Sequence, residues 1–458
     1  MKTTRGYKTE LDLNNKQTTL CLKHAGCARY AFNWALNKKI EAYKKGEKVP
    51  TAIDLHRDLN KLKQTELQWM YECSKCAPQE ALRHVDKAYD NFFRKVKLKK
   101  QGKHKGKLGF PKFKSKKKGI GSFRLTGAIK VLPDAIQLPR LGKLRLKEHD
   151  YLPVNGGHIL SATISEQAGR WLVSIQVEED RPEPEIATGQ PIGIDLGIKT
   201  LATLSDATPF ENPHALKHQL KKLKRLSHAH SRKQKGSKNR EKSRKKLAVL
   251  HARIANIRRD ALHKTTSQIV AKTKPASERP SLIVLEDLNI AGMLKNRKLS
   301  RAIADVGMSE FRRQLVYKAA QAGITVKYAN RWYASSKICS SCGWVNEDLD
   351  LSQRVFVCVD CGYLADRDYN AAKNILAVSS TERWNACGAA SSGSLVTVSE
   401  TSRVEAGTKQ HVGVSYMSKF LRTVNETCYL HDCISRTNGA EELTVYQSHN
   451  FPIINVSE

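Results

Sequence analysis

Two pairs of cysteines constrain this chain more than any other feature of its sequence. Cys339-Ser340-Ser341-Cys342-Gly343 and Cys358-Val359-Asp360-Cys361-Gly362 are matching C-x2-C-G knuckles separated by fifteen residues. Each C-x2-C turn offers two sulfurs to one point, and the glycine that follows permits the tight turn. Four thiolates suit a tetrahedral Zn²⁺ with no open position, so the ion is expected to hold structure rather than catalyse. A redox dithiol site needs one such pair, not two. Cys73-Ser74-Lys75-Cys76 has no second knuckle nearby, and Cys21 and Cys27 are wrongly spaced. These four are expected to be ordinary buried or surface thiols.

At 458 residues the chain exceeds one ordinary domain, and its 40% hydrophobic content is enough for real cores. Its formal net charge of +35 is unevenly placed. Residues 94–118 hold thirteen Lys and Arg and no Asp or Glu, and residues 217–264 hold eighteen against Glu241 and Asp260 alone. Residues 1–380 hold 73 basic side chains against 36 acidic, whereas 381–458 hold six against eight. A clustered excess of that size makes a polyanion the expected partner, bound by the part of the chain before about residue 380. No apolar run approaches the roughly 18 residues of a membrane span. The N-terminus lacks the apolar core of a secretory signal, so a cytoplasmic protein is expected.

The apolar pattern changes character along the chain. Residues 3–13 read as a strand, and from 16 to 98 apolar residues recur at helical spacing, as in Ala81, Leu82, Val85, Ala88, Phe92 and Phe93. The basic stretch 94–118 contains Gly102, Gly106, Gly109 and Pro111 and reads as a loop. Phe110 and Phe113 within it suit either stacking on bases or anchoring the loop. Short strands from 121 to 180 suggest a small antiparallel barrel, and a Pro-rich linker follows at 183–190. Next comes an α/β pattern: strands at 191–197 and 200–205, and a helical pair over 214–275 broken near Gly236. A buried strand at 281–288, a helix at 308–322, a strand at 324–330 and a helix at 370–377 complete it. The Ser/Thr-rich tail 379–458, with Cys387, Cys428 and Cys433, is expected to be poorly ordered.

Three acids stand out against the basic background. Asp195 ends the apolar run Ile192-Gly193-Ile194, and Glu286 ends Leu282-Ile283-Val284-Leu285. Asp368 lies in Asp366-Arg367-Asp368-Tyr369-Asn370, just ahead of the last helix. An acid at the end of a buried strand is costly unless it is paired or binds a cation. Singly, each has a structural role open to it: a salt-bridged strand end for Asp195 or Glu286, a helix cap for Asp366 or Asp368. Together they suggest a site for two Mg²⁺ or Mn²⁺ ions about 4 Å apart, suited to phosphodiester cleavage.

The segments GIDLGIKTLATLS, LIVLEDLNI and CSSCG…CVDCGYLADRDYNAAKNIL, in that order, resemble the TnpB (OrfB) proteins of bacterial and archaeal insertion sequences, relatives of the type V CRISPR effectors. Residues 293–319 and the helical run ending ALRHVDKAYDNFFRKVK are similar to that family too, so the resemblance covers about residues 5–378. It implies a multidomain α+β protein with a wedge β-barrel from 1–14 and 110–182 and a helical recognition lobe at 15–109. A RuvC-like nuclease of RNase H fold would occupy 191–334 and 363–378, with the zinc ribbon inserted at 335–362. Asp195, Glu286 and Asp368 match the catalytic positions, with Asp366 the alternative for the third. The implied activity is RNA-guided cleavage of double-stranded DNA, with a guide RNA paired to the target beside a short motif read by the protein. Gln79, Lys75, Lys95, Lys112 and Lys116 are the candidate nucleic-acid contacts. The ribbon would brace the segment that delivers Asp368 and gate nucleic acid into the site. A strand-transferring transposase shares the three-carboxylate chemistry and stays open. A nuclease-silent repressor sits poorly with three retained acids. A zinc-ribbon RNA-binding protein would leave Asp195 and Glu286 without a role.

Overall fold

Period-two alternation and one helical insertion build the first half of the molecule. The computed structural model describes residues 2–380 apart from 105, 117–118, 155–156 and 351; the expectation for the tail beyond 380 lies outside the described residues. Strand β1 (Lys2–Asp12) leads into helices α1 (Asn15–Lys44), α2 (Ala52–Thr65) and α3 (Cys76–Lys100). The chain then forms β2 (Ser122–Leu125), β3 (Lys130–Val131), β4 (Ala135–Leu138), β5 (Gly142–Leu146), β6 (Gly157–Gln167) and β7 (Arg170–Asp180). These seven strands pair antiparallel in the order β2-β6-β7-β1-β5-β4-β3. Because β1 lies along β7 from Lys2↔Asp180 to Leu11↔Trp171, the three helices interrupt a single sheet. Trp171, Val173, Ile175 and Val177 alternate inward along β7 and form its apolar face. The outer strands β2 and β3 share no ladder among the described residues, so this antiparallel sheet is not closed by hydrogen bonds between them. Asn37–Pro50 is a separate contact unit, within which the Lys39 ammonium donates to the Pro50 carbonyl over 2.6 Å.

The basic stretch is less of a loop than its glycines suggest. Helix α3 runs on to Lys100, because Arg94–Lys100 contains no Gly or Pro and Lys and Arg are good helix formers. Lys97, Lys99 and Lys100 also face the negative end of the helix dipole. Beyond it, Phe110 packs edge-on against Tyr89 and Phe92, with ring centroids 5.5 and 5.4 Å apart, and anchors the loop. Phe113 stays 51% exposed. Asn33 holds the loop from α1, donating to the Lys114 carbonyl and accepting from its N–H.

The second half is a mixed sheet flanked by helices. Its elements are β8 (Ile192–Asp195), β9 (Thr200–Leu204), β10 (Pro209–Glu211), α4 (Ala215–Ser231), α5 (Lys238–Val270) and β11 (Leu282–Glu286). They continue with α6 (Ile290–Met293), α7 (Ser300–Val306), α8 (Met308–Gln321), β12 (Thr325–Ala329), β13 (Val355–Val357), β14 (Leu364–Asp366) and α9 (Arg367–Ser380). The strand order is β10-β9-β8-β11-β12; β8, β9 and β10 run antiparallel, whereas β8, β11 and β12 are parallel. The Pro-rich stretch before β8 is pinned rather than left as a free linker. Ala187 is buried in the core of this half, and the N–H groups of Ala187, Thr188 and Gly189 donate to the carbonyls of Gly323, Ala276 and Arg279.

Each strand of the central pair sends alternate residues to opposite layers. Ile192, Ile194, Ile283 and Leu285 enter the core made with Leu262 and Ile269 of α5 and Phe311 and Leu315 of α8. Val284 faces the other way, onto Ile375 of α9. By the same period of two, Gly193, Asp195 and Glu286 belong to the α9 side. Gly193 is what lets α9 lie so close. A Cβ there would stand 2.2 Å from the Ala372 carbonyl oxygen and 2.8 Å from the Leu376 nitrogen. Gly193→Ala is therefore expected to cost at least about 1–3 kcal/mol through overpacking. Urea denaturation should show a lower midpoint at unchanged m-value; an unaltered midpoint would contradict this helix–strand contact.

Candidate metal centres

The parallel ladder fixes two of the three predicted acids. Its last registered pair is Leu285↔Ile194, so one residue further Glu286 and Asp195 stand side by side at the strand ends, on the α9 face. Burial pushes the Asp195 carboxyl well above the usual carboxylate range. The charges of Glu286 and then Asp368 add to that effect, and Arg367 partly opposes it. Burial also raises Glu286, against a hydrogen bond from Ser335 Oγ to Glu286 Oε1 of 2.7 Å. Asp195 and Glu286 are thus neighbours and Asp368 lies within electrostatic reach of Asp195, whereas among the described residues only the cysteines form a ligand cluster within 4.8 Å.

Helix α9 begins three residues earlier than its apolar pattern suggests, and this separates the two aspartates. Asp366 Oδ1 accepts the N–H groups of Asp368 (2.9 Å) and Tyr369 (3.1 Å), two of the unpaired donors at the helix start. Asp366 therefore serves as the cap. Asp368 lies inside the first turn, with its Oδ1 3.5 Å from Arg367 and 3.9 Å from Arg354. Of the two, Asp368 acts more strongly on Asp195.

The four knuckle cysteines meet as their spacing predicts. Cys339 and Cys361 sulfurs are 3.7 Å apart, and those of Cys342 and Cys358 are 3.5 Å apart. A tetrahedron of Zn–S bonds near 2.3 Å has edges of about 3.8 Å, so the donor set fits one zinc ion. Each knuckle closes in the same way: Gly343 and Gly362 N–H donate to the Cys339 and Cys358 carbonyls, at φ values of +84° and +72°. Burial pushes the Cys339 thiol up, but N–H groups of Cys342 and Ser341 and the neighbouring cysteines bring it down to about 7. Phe356, fully buried, fills the small core behind the cysteines.

Two buried asparagines, unforeseen from the sequence, join the ribbon to the carboxylates. Asn370 Nδ2 donates to the Ile338 carbonyl (2.7 Å), while its Oδ1 accepts the Ser340 N–H (2.9 Å). One turn on, Asn374 Nδ2 donates to the carbonyls of Ser335 (2.8 Å) and Ile338 (2.6 Å). Helix α9 thereby grips the segment that enters the first knuckle and that carries Ser335 to Glu286. The available signal was an Asn-x3-Asn pair beside Ala371, Ala372 and Ile375, since a polar pair on a buried helix stripe must find partners. Arg312 and Arg331 were equally unforeseen; both pair with Asp287, next to Glu286.

The other candidates do not gather into one site. Lys75 stands just before α3 with Gln79 one turn along, whereas Lys95 is exposed near its far end, about 30 Å away at 1.5 Å per residue. Lys112 lines a cavity of about 470 Å³ with Arg29 and Lys114, and Lys116 is exposed nearby. Cys21, Cys27, Cys73 and Cys76 are buried free thiols. No helix of the described residues is long and apolar enough to cross a membrane.

Three family models match the chain: one described as "Probable transposase" over residues 174–297, a "Cas12f1-like, TNB domain" over 309–375 and a "Helix-turn-helix domain" over 1–48. In this structure the last span holds β1 and the single helix α1. A protein of Streptomyces pristinaespiralis named "Putative RNA-guided DNA endonuclease" is 36% identical, over 81% of this chain and 89% of that one. "Putative RNA-guided DNA endonuclease InsQ" of Escherichia coli (strain K12) is 33% identical, over 82% and 92%. Among solved structures, the mini-RNA-guided endonuclease CRISPR-Cas_phi3 is similar at 9% identity over 82% of this chain and 92% of that chain, with a TM-score of 0.43, too loose a match to bear on the site.

The raised carboxyl of Asp195 has a consequence for stability. A folded-state value above the ordinary 3.8 means that the native state loses stability as pH rises from there through the raised value. Above it the whole penalty is present. Asp195→Asn removes the charge at nearly equal volume. In metal-free buffer at pH 8 the variant should melt at a higher temperature than the parent, with the gap closing as pH falls. Millimolar Mg²⁺ should raise the melting temperature of the parent only. A variant no more stable at pH 8 would contradict the placement of Asp195 among acids.

Proposed function

The chain belongs to the TnpB (OrfB) family, and from that membership we propose that it is an RNA-guided DNA endonuclease cutting at Asp195, Glu286 and Asp368. The observation that carries this reading is the placement of Asp195 beside Glu286 at the ends of β8 and β11, where burial first, and then the charges of Glu286 and Asp368, hold its carboxyl well above its ordinary range. Such repulsion is what a cation site looks like before its charge is balanced. The strand order β10-β9-β8-β11-β12, three antiparallel and then two parallel, supports an RNase H-like, RuvC-type nuclease domain.

Mg²⁺ or Mn²⁺ held by these acids would supply an activated water and stabilise the leaving oxygen of a phosphodiester. The chain's own part is to fix the acids. Ser335 orients Glu286, the Asp366 cap sets the turn that carries Asp368, and Arg354 and Arg367 flank that carboxylate. Zn²⁺ at Cys339, Cys342, Cys358 and Cys361 would be structural, bracing α9 through Asn370 and Asn374. The seven-stranded sheet is read as the wedge and α1–α3 with the basic loop as the recognition lobe. Their Lys and Arg would hold an RNA–DNA heteroduplex by its backbone.

Strand transfer by the same acids is the second reading, favoured by the description of the family model over 174–297. The purified protein is expected to carry a defined RNA and to cut only DNA that this RNA matches. Cutting that survives removal of the RNA, or joined rather than hydrolysed ends, would overturn the first reading. Asp195→Ala should abolish cleavage and leave nucleic-acid affinity within about twofold, since the residue is not among the phosphate-binding cations. Elemental analysis should find zinc at one ion per chain. Cys358→Ser with Cys361→Ser should lose that ion and slow cleavage by at least about tenfold, on the scale of disturbed metal-site supports. Intact folding and cleavage without zinc would refute the bracing role.

A further inference from the structure

Trp332 is 88% exposed, more than any other large apolar side chain among the described residues. An indole is ordinarily tucked against a core, with only its N–H reaching water. Here the backbone holds it out. Trp332 N–H donates to Asn330 Oδ1 (2.9 Å), and Tyr333 N–H donates to the Asn330 carbonyl (3.0 Å). Arg331 Nε donates to the Asp287 carbonyl (3.0 Å), and its guanidinium also pairs with the Asp287 carboxylate. Three residues beyond the indole, Ser335 holds Glu286. The turn is therefore bolted to two consecutive residues at the end of β11, Glu286 and Asp287, with Trp332 between the bolts. Asn330, Arg331 and Tyr333 wall the cleft beside Glu286. Half-exposed Tyr328 stands nearby on β12 with the Arg312 guanidinium 5.6 Å from its ring centre.

We propose that Trp332 is a stacking platform for one base of the DNA strand, next to the phosphate that is cut. The inference rests on reading Asp195, Glu286 and Asp368 as the cleavage centre. On that reading the DNA outside the guide-paired segment is single-stranded, so its bases are unstacked and can take an aromatic face. Stacking on an indole tolerates any base, as a programmable nuclease requires. Cations at Arg312 and Arg331 add attraction for the neighbouring phosphates. Because the turn is tied to Glu286, a base held on Trp332 would set where the next phosphate lies relative to the carboxylates. Trp332 is thus a positioning residue, acting through the strand rather than on the reacting atoms.

The test uses the full-length protein with its copurified RNA and a labelled DNA strand that carries a segment complementary to that RNA and, beyond it, unpaired nucleotides that include the cut. Nucleotides around the cut are replaced one at a time by abasic sites, and single-turnover rates are read. In the parent, one abasic position should slow cutting by about fivefold or more, the value of one base–aromatic stack. Trp332→Ala should show a similar loss on the intact strand and no further loss at that position, whereas Trp332→Phe should recover most of the rate. Parental cutting by Trp332→Ala, or an undiminished abasic effect in it, would overturn the proposal; the indole would then serve a protein partner. If even the parent fails to cut, the cleavage reading fails separately. Fluorescence anisotropy on the same strands then decides for the stack: weaker binding by Trp332→Ala that ignores the abasic position supports it, and unchanged affinity overturns it.

Discussion

The approach of α9 to the bare backbone of Gly193 is the contact on which the rest of the structure depends. With no side chain at Gly193, the Ala372 carbonyl oxygen comes within 2.2 Å of where a Cβ would be, and the fully buried Ala371 and Ala372 keep the interface thin. This closeness brings the first turn of α9, with Asp368, over the ends of β8 and β11. The two-residue period of the strands does the rest, because the face that carries Gly193 and Val284 also carries Asp195 and Glu286. A slip of one residue in either strand would turn its acid into the apolar layer of α5 and α8.

Concentrating acids in this way works against stability, and the surroundings limit rather than remove the penalty. Arg367 lies by Asp368, and Arg312 and Arg331 take up Asp287 just outside Glu286. At Asp195 burial and the charges of Glu286 and Asp368 outweigh the opposing charge of Arg367. The second support is mechanical. Asn370 and Asn374 tie α9 to residues 335–340, and the four cysteines gather at the far end of that segment. A helix held on one side by the sheet and on the other by the ribbon has little freedom to relieve the repulsion by moving away. Strain kept at a functional site by rigid surroundings is a general pattern.

Much of this was legible in the chain itself. The cysteine spacing, the acids ending two apolar runs, the helical pair broken at Gly236 and the helical insertion before the first sheet all follow from local rules of turn geometry and periodicity. What went unread depended on partners distant in sequence. Arg94–Lys100 joined α3 because helix propensity outweighed the glycines further on. The Pro-rich stretch before β8 is pinned by carbonyls of Gly323, Ala276 and Arg279, which no local pattern announces. Asp366 and Asp368 are alike as letters, and only the N–H groups that Asp366 caps tell them apart.

The sequence by itself determined which residues have the chemistry for metal binding: four thiolates at knuckle spacing and three acids against a strongly basic background. Chemistry of that kind is carried by residue type and short spacing. Only the tertiary structure decided which acids face one another, that α9 joins ribbon to sheet, and that Trp332 stands exposed on a turn tied to Glu286 and Asp287. Those are matters of which faces of distant segments meet, and they are fixed by packing across the sheet.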